Sequence, residues 1–128
     1  MIYVDTSVVL AQILAEDRRP PSVLWETDLI SSRLTEYETW VRLHALGLET
    51  SHGDPAQQLL ARLAFLELSP LVLTRALQPF PVQVRTLDAL HLASIEFLRS
   101  RRVGARLATY DVRMKEGAQA LGMELEVL

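Results

Sequence analysis

Four acidic residues stand far apart in this chain, at positions where a folded α/β domain would bring them together: Asp5, Glu38, Asp88 and Asp111. Asp5 and Asp111 each follow a short apolar run, as expected for the turn between a buried strand and a helix. Such turns lie at the carboxyl edge of a parallel sheet, where α/β proteins bind their ligands. Carboxylates crowded into one crevice need positive compensation, and a hard divalent cation is its commonest source. The pattern therefore predicts a metal site.

Each acid also has a simpler interpretation. An Asp that precedes a helix is a good N-cap, and this alternative applies to both Asp5 and Asp111. Asp88 falls in the first turn of a predicted helix that is apolar on nearly every side, so the helix is expected to be buried. The helix dipole alone is a weak reason to bury a carboxylate there, and burial indicates a partner such as a metal.

Helix phase separates two neighbouring acids, Glu36 and Glu38. At ~100° per residue, Leu34, Tyr37 and Val41 fall on one stripe, which is predicted to face inward. Glu38 lies at the edge of that stripe and is the candidate site residue. Glu36 points to the opposite side and is interpreted as a solvated charge.

The Glu36 side of the same helix also carries Trp40 and Leu43. Large apolar groups on a second face indicate contact with another element or another subunit. We therefore expect these two residues to belong to a packing or partner surface.

Hydroxyl side chains flank the acids that end the strands: Thr6 and Ser7 follow Asp5, and Thr109 precedes the last acid by two residues. A hydroxyl there would orient a carboxylate or hold a water on a metal, although simple capping explains each one equally well. His91 follows Asp88 by one helical turn. It is interpreted as a packed or surface histidine, with a supporting role behind the site as the alternative.

The elements that must position these residues alternate between strand and helix. The predicted strands lie at residues 2–5, 28–31, 66–68, 106–110 and 123–127, and the predicted helices at 7–16, 34–46, 55–65, 70–77, 86–101 and 112–121. This alternation with short loops predicts an α/β fold with a parallel sheet between helical layers. No repeat or linker interrupts residues 1–128, so a single domain is expected.

Bulk composition excludes several classes of protein. The chain has 49% hydrophobic and 23% charged residues, which is typical of a globular domain. It contains no cysteine, hence no disulfide or thiol chemistry, and no apolar stretch approaches the ~18–20 residues that span a bilayer. A cytoplasmic location without a membrane partner is expected. Net charge is −3 and Lys115 is the single lysine, so the basic residues suit phosphate contacts without deciding for nucleic acid.

Several segments together resemble the PIN domain, and within that family the VapC-type ribonuclease toxins of bacterial toxin–antitoxin pairs. The matching segments are residues 2–7, 31–38, 85–93, 107–111 and 120–124. They occur in the family's order and cover the chain from end to end. The family's acidic quartet maps onto Asp5, Glu38, Asp88 and Asp111.

The resemblance implies a three-layer α/β/α sandwich with a five-stranded, mainly parallel sheet. It also implies Mg²⁺- or Mn²⁺-dependent hydrolysis of RNA phosphodiesters, in which carboxylates hold one or two ions that activate water. Asp5 would be the central ligand, with Asp88 and Asp111 completing the metal site. Glu38 would bind metal directly or through water.

The resemblance further implies an RNA substrate, a small antitoxin protein that covers the active site, and a homodimer. Four basic residues flank the acids in sequence and are expected to guide the phosphate backbone: Arg33, Arg85, Arg113 and Lys115. The apolar face at Trp40 and Leu43 is the expected contact for the antitoxin or the second subunit.

Three other interpretations compete. A phosphatase that forms an aspartyl-phosphate on Asp5 typically needs a second Asp two residues later, where this chain has Ser7. A receiver-type signalling domain needs an adjacent acid pair near its start and a late lysine in the fold, and neither feature is recognised. A catalytically silent PIN fold that binds metal and a protein or RNA partner remains open, although the acids are all present.

Overall fold

Four short apolar segments pair into one sheet in the computed structural model, which describes residues 1–128. The strands are β1 (Ile2–Val4), β2 (Leu29–Ser32), β3 (Ala64–Leu66) and β4 (Arg106–Ala108). Their spatial order is β3-β2-β1-β4, and every pair is parallel. All four carboxyl ends therefore lie along one edge of the sheet, and the residues that follow the strands share that edge.

Helices provide the connections between these strands. They are α1 (Thr6–Ile13), α2 (Arg33–Ala45), α3 (Gly53–Leu60), α4 (Pro70–Ala76), α5 (Thr86–Ser100) and α6 (Val112–Ala120), with a 3₁₀ turn at Ser22–Glu26. The longest of them, α5, has 15 residues. None of the helices combines the length and the apolar character needed to cross a membrane.

Two hydrophobic clusters, one on each face of the sheet, explain the layered architecture. Along β1, Ile2 and Val4 pack into the cluster that includes residues of α1 and α3. Tyr3 lies between them in sequence and packs into the other cluster, with residues of α5 and α6. Because side chains alternate across a strand, a fully buried strand supplies both layers at once. The expected three-layer α/β/α arrangement is confirmed.

The sheet has four strands where five were expected. The predicted fifth strand at 123–127 reaches β4 through a single parallel bridge between Leu107 and Leu125. Backbone hydrogen bonds from Leu107 N to Glu124 O and from Glu126 N to Leu107 O hold it there. The segment lies in the expected place, but its pairing is too short to count as a strand.

The third predicted helix, at 55–65, ends too late in the sequence interpretation. The structure ends α3 at Leu60, and β3 (Ala64–Leu66) begins four residues later. The observed strand therefore begins two residues before the predicted strand at 66–68. The apolar residues of this region satisfy both helical and strand patterns, and the neighbouring strand β2 selects the strand.

The inward face of α2 was assigned correctly at Leu34, which is buried, and wrongly at Tyr37 and Val41. The buried residues of this helix include Thr35, Thr39 and Leu43, whereas Tyr37 and Val41 are exposed, at 67% and 47% of their surface. The buried threonines are satisfied by local bonds, with Thr39 Oγ1 donating to the Thr35 carbonyl at 2.7 Å. Polar residues therefore fill an interior stripe that hydrophobic periodicity assigned to others.

Trp40 and Leu43 were predicted to contact another element or another subunit, and the structure shows contact with other elements of the same chain. Leu43 is fully buried, and Trp40 packs against the hydrophobic core and close to Gly53. Both residues serve the fold of this chain. The exposed apolar side chains of α2 are instead Tyr37 and Val41.

Close packing of α6 on α5 determines the position of Asp111, the acid that follows β4. A Cβ added at Gly117 of α6 would lie 2.8 Å from the Leu92 side chain and 3.3 Å from Val84. Only glycine permits this approach without displacement of Leu92. The approach brings the amino end of α6, where Asp111 stands, beside the amino end of α5.

Candidate active site

Asp5 caps α1 and is almost fully buried, with 3% of its surface exposed. Its Oδ1 accepts hydrogen bonds from the Ser7 backbone N at 3.1 Å, from Ser7 Oγ at 2.6 Å and from the Val8 N at 3.4 Å. Its Oδ2 accepts a bond of 2.5 Å from Thr109 Oγ1. Capping thus uses mainly one oxygen, and a hydroxyl from the end of β4 orients the other.

The hydroxyls of Ser7 and Thr109 join the ends of β1 and β4. Ser7 Oγ accepts from the Tyr110 backbone N at 2.9 Å, and Thr109 Oγ1 accepts from the Asp111 N at 3.0 Å. Each hydroxyl therefore touches Asp5 on one side and the turn after β4 on the other. This network holds the backbone that carries Asp111 in register with Asp5.

Asp111 caps α6 with a single oxygen. Its Oδ1 accepts from the backbone N atoms of Arg113 at 2.9 Å and Met114 at 3.2 Å. Its Oδ2 lies 3.6 Å from Nη2 of Arg85. Capping and a place in the acid cluster are thus compatible, because the two oxygens of one carboxylate have separate tasks.

Asp88, in the first turn of α5, carries the one buried side-chain oxygen that has no hydrogen-bond partner, Oδ2. Arg85 Nε approaches that atom at 3.6 Å, which is close enough for an ion pair but too long for a hydrogen bond. A buried acceptor left without a donor is costly. The oxygen is therefore available to a ligand.

Glu38 is held by three elements. Its Oε1 accepts from Thr6 Oγ1 at 2.7 Å and from His91 Nε2 at 2.8 Å. Thr6 belongs to α1 and His91 to α5, whereas Glu38 itself lies on α2. The side chain of Glu38 is 20% exposed. These contacts bring it to the carboxyl edge of the sheet beside Asp5, the residue before Thr6.

The surroundings of Asp5 and Asp88 disfavour the charged form of each carboxyl group. Burial raises the pKa of Asp5, and His91 together with hydrogen bonds from Ser7 and Thr109 opposes the rise in part. Burial also raises the pKa of Asp88, the charges of Asp111 and Asp5 raise it further, and Arg85 opposes them. The repulsion of Asp88 by Asp111 and Asp5 is that expected of carboxylates held close together. Such shifts are common at functional sites.

The side chains do not form a ready-made metal cage, since no three of the His, Asp or Glu groups converge at ligand distances. The donor set nonetheless suits Mg²⁺ or Mn²⁺, because it consists of carboxylate oxygens and hydroxyls, the hard ligands those ions prefer. Mg²⁺ keeps several waters and needs only one or two direct carboxylates. The partnerless Asp88 Oδ2 and the raised pKa values of Asp5 and Asp88 fit a site that lacks positive charge.

The four basic residues predicted to guide phosphate separate in the structure. Arg85 and Arg113 line one open groove of about 440 Å³ beside the acids, together with Gln83 and Glu116. Lys115 is half-buried on α6 and does not line this groove.

Arg33 is directed elsewhere. Its guanidinium donates to Glu67 Oε1 at 2.8 and 3.0 Å and to Glu36 Oε2 at 3.4 Å, and it lies over the Phe65 ring. Glu67 follows β3, the strand adjacent to β2, so the arginine turns along the sheet edge toward β3 and its carboxylate.

His91 is the site residue that the sequence interpretation underrated. It is 2% exposed and uses both ring nitrogens, with Nδ1 2.7 Å from the Tyr3 hydroxyl and Nε2 bonded to Glu38. The available signal was a polar ring one turn after Asp88 on an otherwise apolar helix. A buried polar group needs partners, but the sequence does not say which.

Comparisons with known proteins agree with this geometry. A sequence model of the PIN domain matches residues 2–119. Ribonuclease VapC35 of Mycobacterium tuberculosis is 36% identical, over 96% of this chain and 93% of its own length. Ribonuclease VapC46 of the same organism is 33% identical over 95% and 93% of the two chains.

Among solved structures, the crystal structure of PAE2754 from Pyrobaculum aerophilum superposes with a TM-score of 0.63 at 22% identity. The match covers 88% of this chain and 76% of that one. At this identity the likeness supports the fold alone.

Proposed function

This chain belongs to the PIN domain family and is of the VapC type, and on that premise we propose that it is a divalent-metal-dependent endoribonuclease, the toxin of a toxin–antitoxin pair. We further propose that residues 1–128 form one domain that acts in the cytoplasm. The VapC relatives are named ribonucleases and align over nearly their whole length, which supports the same reaction class here.

The observation that carries the proposal is the buried carboxylate group with its partnerless oxygen, Asp88 Oδ2. A protein that kept these acids for stability alone would pair each of them. Here burial and mutual repulsion raise two pKa values, which is a cost in the absence of a ligand. A bound cation would remove that cost.

We assign the metal to Asp5, Asp88 and Asp111, with Glu38 acting directly or through water. When bound, Mg²⁺ or Mn²⁺ would supply a more acidic water and neutralise charge that develops on the phosphate. The protein's own part is orientation. Thr109 and Ser7 fix the carboxylate of Asp5, and the backbone of α6 fixes that of Asp111.

Glu38 has a different part, because both of its donors bind Oε1. Its Oε2 has no donor and is free to hold the attacking water and accept its proton. In the proposed reaction the water oxygen bonds to phosphorus, one P–O bond of the RNA breaks, and the leaving oxygen is protonated from solvent.

We place the RNA backbone in the groove lined by Arg85 and Arg113. Guanidinium groups bind phosphate oxygens in pairs, and both stand on the same side of the acid cluster. Arg85 also lies 3.6 Å from Asp88 and Asp111, so it compensates the acids while reaching toward the groove. Arg33 has no part in this binding, since Glu36 and Glu67 occupy it.

An antitoxin protein and a second copy of this chain are the proposed protein partners. Several exposed apolar side chains are available to them: Tyr37 and Val41 on α2, Leu71 and Leu73 on α4, and Leu77 at the C-terminal cap of α4. Exposed apolar patches commonly mark interaction surfaces.

The alternative function is a catalytically silent PIN fold that binds metal and a protein or RNA partner. The two functions are separated by incubating purified protein with a labelled pool of structured RNAs in Mg²⁺, Mn²⁺ or EDTA. Asp88→Asn is the matched variant, because it keeps the side-chain shape and removes the charge. Cuts that require metal and vanish in Asp88→Asn support the nuclease. Divalent-ion binding by calorimetry with no cut in any RNA class favours the silent module.

A further inference from the structure

His91 lies behind the acid cluster and has both ring nitrogens engaged. Its Nδ1 is 2.7 Å from the Tyr3 hydroxyl, and its Nε2 is 2.8 Å from Glu38 Oε1. The Tyr3 and His91 rings meet edge to face, with centroids 5.9 Å apart. Tyr3 belongs to β1 and His91 to α5, so the ring is clamped between the sheet and the helix layer.

Chemistry decides the direction of the two hydrogen bonds. Tyr3 is fully buried, and its hydroxyl, which can donate or accept, lies against Nδ1 of a ring whose Nε2 faces the Glu38 carboxylate. Glu38 as a carboxylate can only accept, so the ring proton lies on Nε2. The phenol then donates to Nδ1, which acts as the acceptor. Glu38 therefore selects the ring tautomer, and the Tyr3 hydroxyl complements it at Nδ1.

The effect on Glu38 is asymmetric. Thr6 Oγ1 and His91 Nε2 both donate to Oε1, from α1 and α5, while Oε2 receives no hydrogen bond from any protein group. Two donors from different elements prevent the carboxylate from rotating. One oxygen is thus an anchor, and the other keeps its acceptor capacity for a ligand.

We propose that His91 is a positioning residue, which holds Glu38 Oε1 so that Oε2 is presented to the attacking water or the metal, and that the Tyr3 hydroxyl holds the ring in place through Nδ1. The inference rests on the proposed nuclease function. It assigns to His91 a task distinct from core packing, because an apolar side chain of equal volume would fill the space without donating to Glu38.

A pair of variants separates the two tasks of the ring. In His91→Gln the amide nitrogen reaches about as far as Nε2 and can donate to Glu38. In His91→Asn the amide reaches only as far as Nδ1, so it retains a partner for Tyr3 and loses Glu38. We expect His91→Asn to lower kcat by roughly 10–100-fold with KM nearly unchanged, as for residues that orient a ligand. His91→Gln should recover most of that loss.

A spectroscopic readout keeps this test independent of the reaction. Nitrogen NMR of the full-length protein should show a proton on His91 Nε2 in the wild type and in Tyr3→Phe, because Glu38 requires a donor in both. Titration with Mg²⁺, followed at the side-chain carboxylate carbon of Glu38, should give a weaker response in His91→Asn and a restored one in His91→Gln.

Each outcome bears on one proposal. If the wild-type protein cleaves no RNA, the nuclease proposal fails, and the Glu38 signal alone decides the role of His91. An Nε2 atom without a proton in the wild type would overturn the positioning role. So would equal kcat in both variants with equally lowered melting temperatures, which is the result expected of a residue that only fills space.

Discussion

The carboxyl edge of the sheet carries two clusters of acidic residues with arginine. The clusters differ in solvent exposure and in hydrogen bonding. After β2 and β3, Arg33 pairs with Glu36 and Glu67, and these side chains are 43%, 41% and 68% exposed. After β1 and β4, Asp5 and Asp111 join Asp88, with Arg85 as the one arginine at ion-pair distance. In the first cluster Arg33 donates hydrogen bonds to the acids, whereas in the second the buried Asp88 Oδ2 accepts no hydrogen bond.

The difference shows that burial, and not the presence of acids, distinguishes the candidate site. Exposed ion pairs are screened by water and contribute little to stability. Glu36 and Glu67 are open to solvent and paired with Arg33. Asp5 and Asp88 lie where burial disfavours the charged form, which raises the pKa of each. Water can satisfy the first cluster, whereas the second keeps a buried acceptor, Asp88 Oδ2, without a donor.

Neutralising one acid in each cluster should give the largest difference in RNA cleavage rate. Asp5→Asn is expected to lower cleavage on the order of 10³-fold, because a metal supplies several kcal/mol of transition-state stabilisation. Glu67→Gln should change the rate by less than about twofold, as for other surface substitutions. Initial rates on one RNA in Mg²⁺ measure both. A comparable loss in the two variants would mean that the exposed cluster shares in the chemistry.

The neutralisation of Asp88 should separate activity from stability. Asp88→Asn is expected to abolish most cleavage while it raises the melting temperature of the metal-free protein, since it removes charge repulsion at a buried position. Mg²⁺ should stabilise the wild type and leave this variant nearly unaffected. Thermal unfolding with EDTA and with Mg²⁺ gives all four values. A destabilised metal-free variant would show that Asp88 has a structural partner.

Arg85 and Arg33 should differ in their contribution to RNA binding. Arg85→Ala is expected to weaken RNA cleavage by roughly 10–100-fold, the value of a charged hydrogen bond to phosphate. It should also reduce the salt dependence of binding. Arg33→Ala serves as the control, with a change of about twofold or less. Binding of a catalytically inactive protein to RNA at several salt concentrations is the measurement. Equal salt slopes in both variants would contradict the groove assignment.

The smallest expected effect concerns pH. Because the pKa values of Asp5 and Asp88 are raised above 3.8, the native state binds more protons than the unfolded chain from 3.8 up to the raised values. The free energy of unfolding of metal-free protein should therefore decrease as pH rises through that window. Asp88→Asn should flatten part of the decrease. Denaturant titrations at a series of pH values test this, and an increase with pH from these groups would refute the sign.

Local patterns predicted much of the fold. The strand-to-helix turns at Asp5 and Asp111 follow from an apolar run that ends at an Asp, which caps the next helix by bonding to its first N–H groups. The end of α3 was misplaced because short apolar runs suit helix and strand alike, and only the neighbouring β2 resolves them. The strand predicted at 123–127 is reduced to one bridge for a similar reason, because the length of its pairing depends on the neighbouring β4.

The inward face of α2 was partly wrong because hydrophobic periodicity assumes an apolar interior. Thr35 and Thr39 are buried there through bonds that a phase argument cannot foresee, such as Ser31 Oγ to Thr35 Oγ1 at 2.7 Å. The separation of Arg33 from Arg85 is equally non-local. Both precede or open a helix near an acid, yet a strand neighbour supplies Glu67 to the first alone.

The sequence by itself determined which residues end the strands and cap the helices, because those preferences depend on a few adjacent backbone groups. It also determined that carboxylates would line one edge, since parallel strands share their carboxyl ends. Only the tertiary structure decided that Glu38 meets Thr6 and His91, that Tyr3 lies behind that histidine, and that Asp88 keeps an oxygen without a partner. These contacts join residues up to 88 positions apart. Their geometry depends on how whole layers pack.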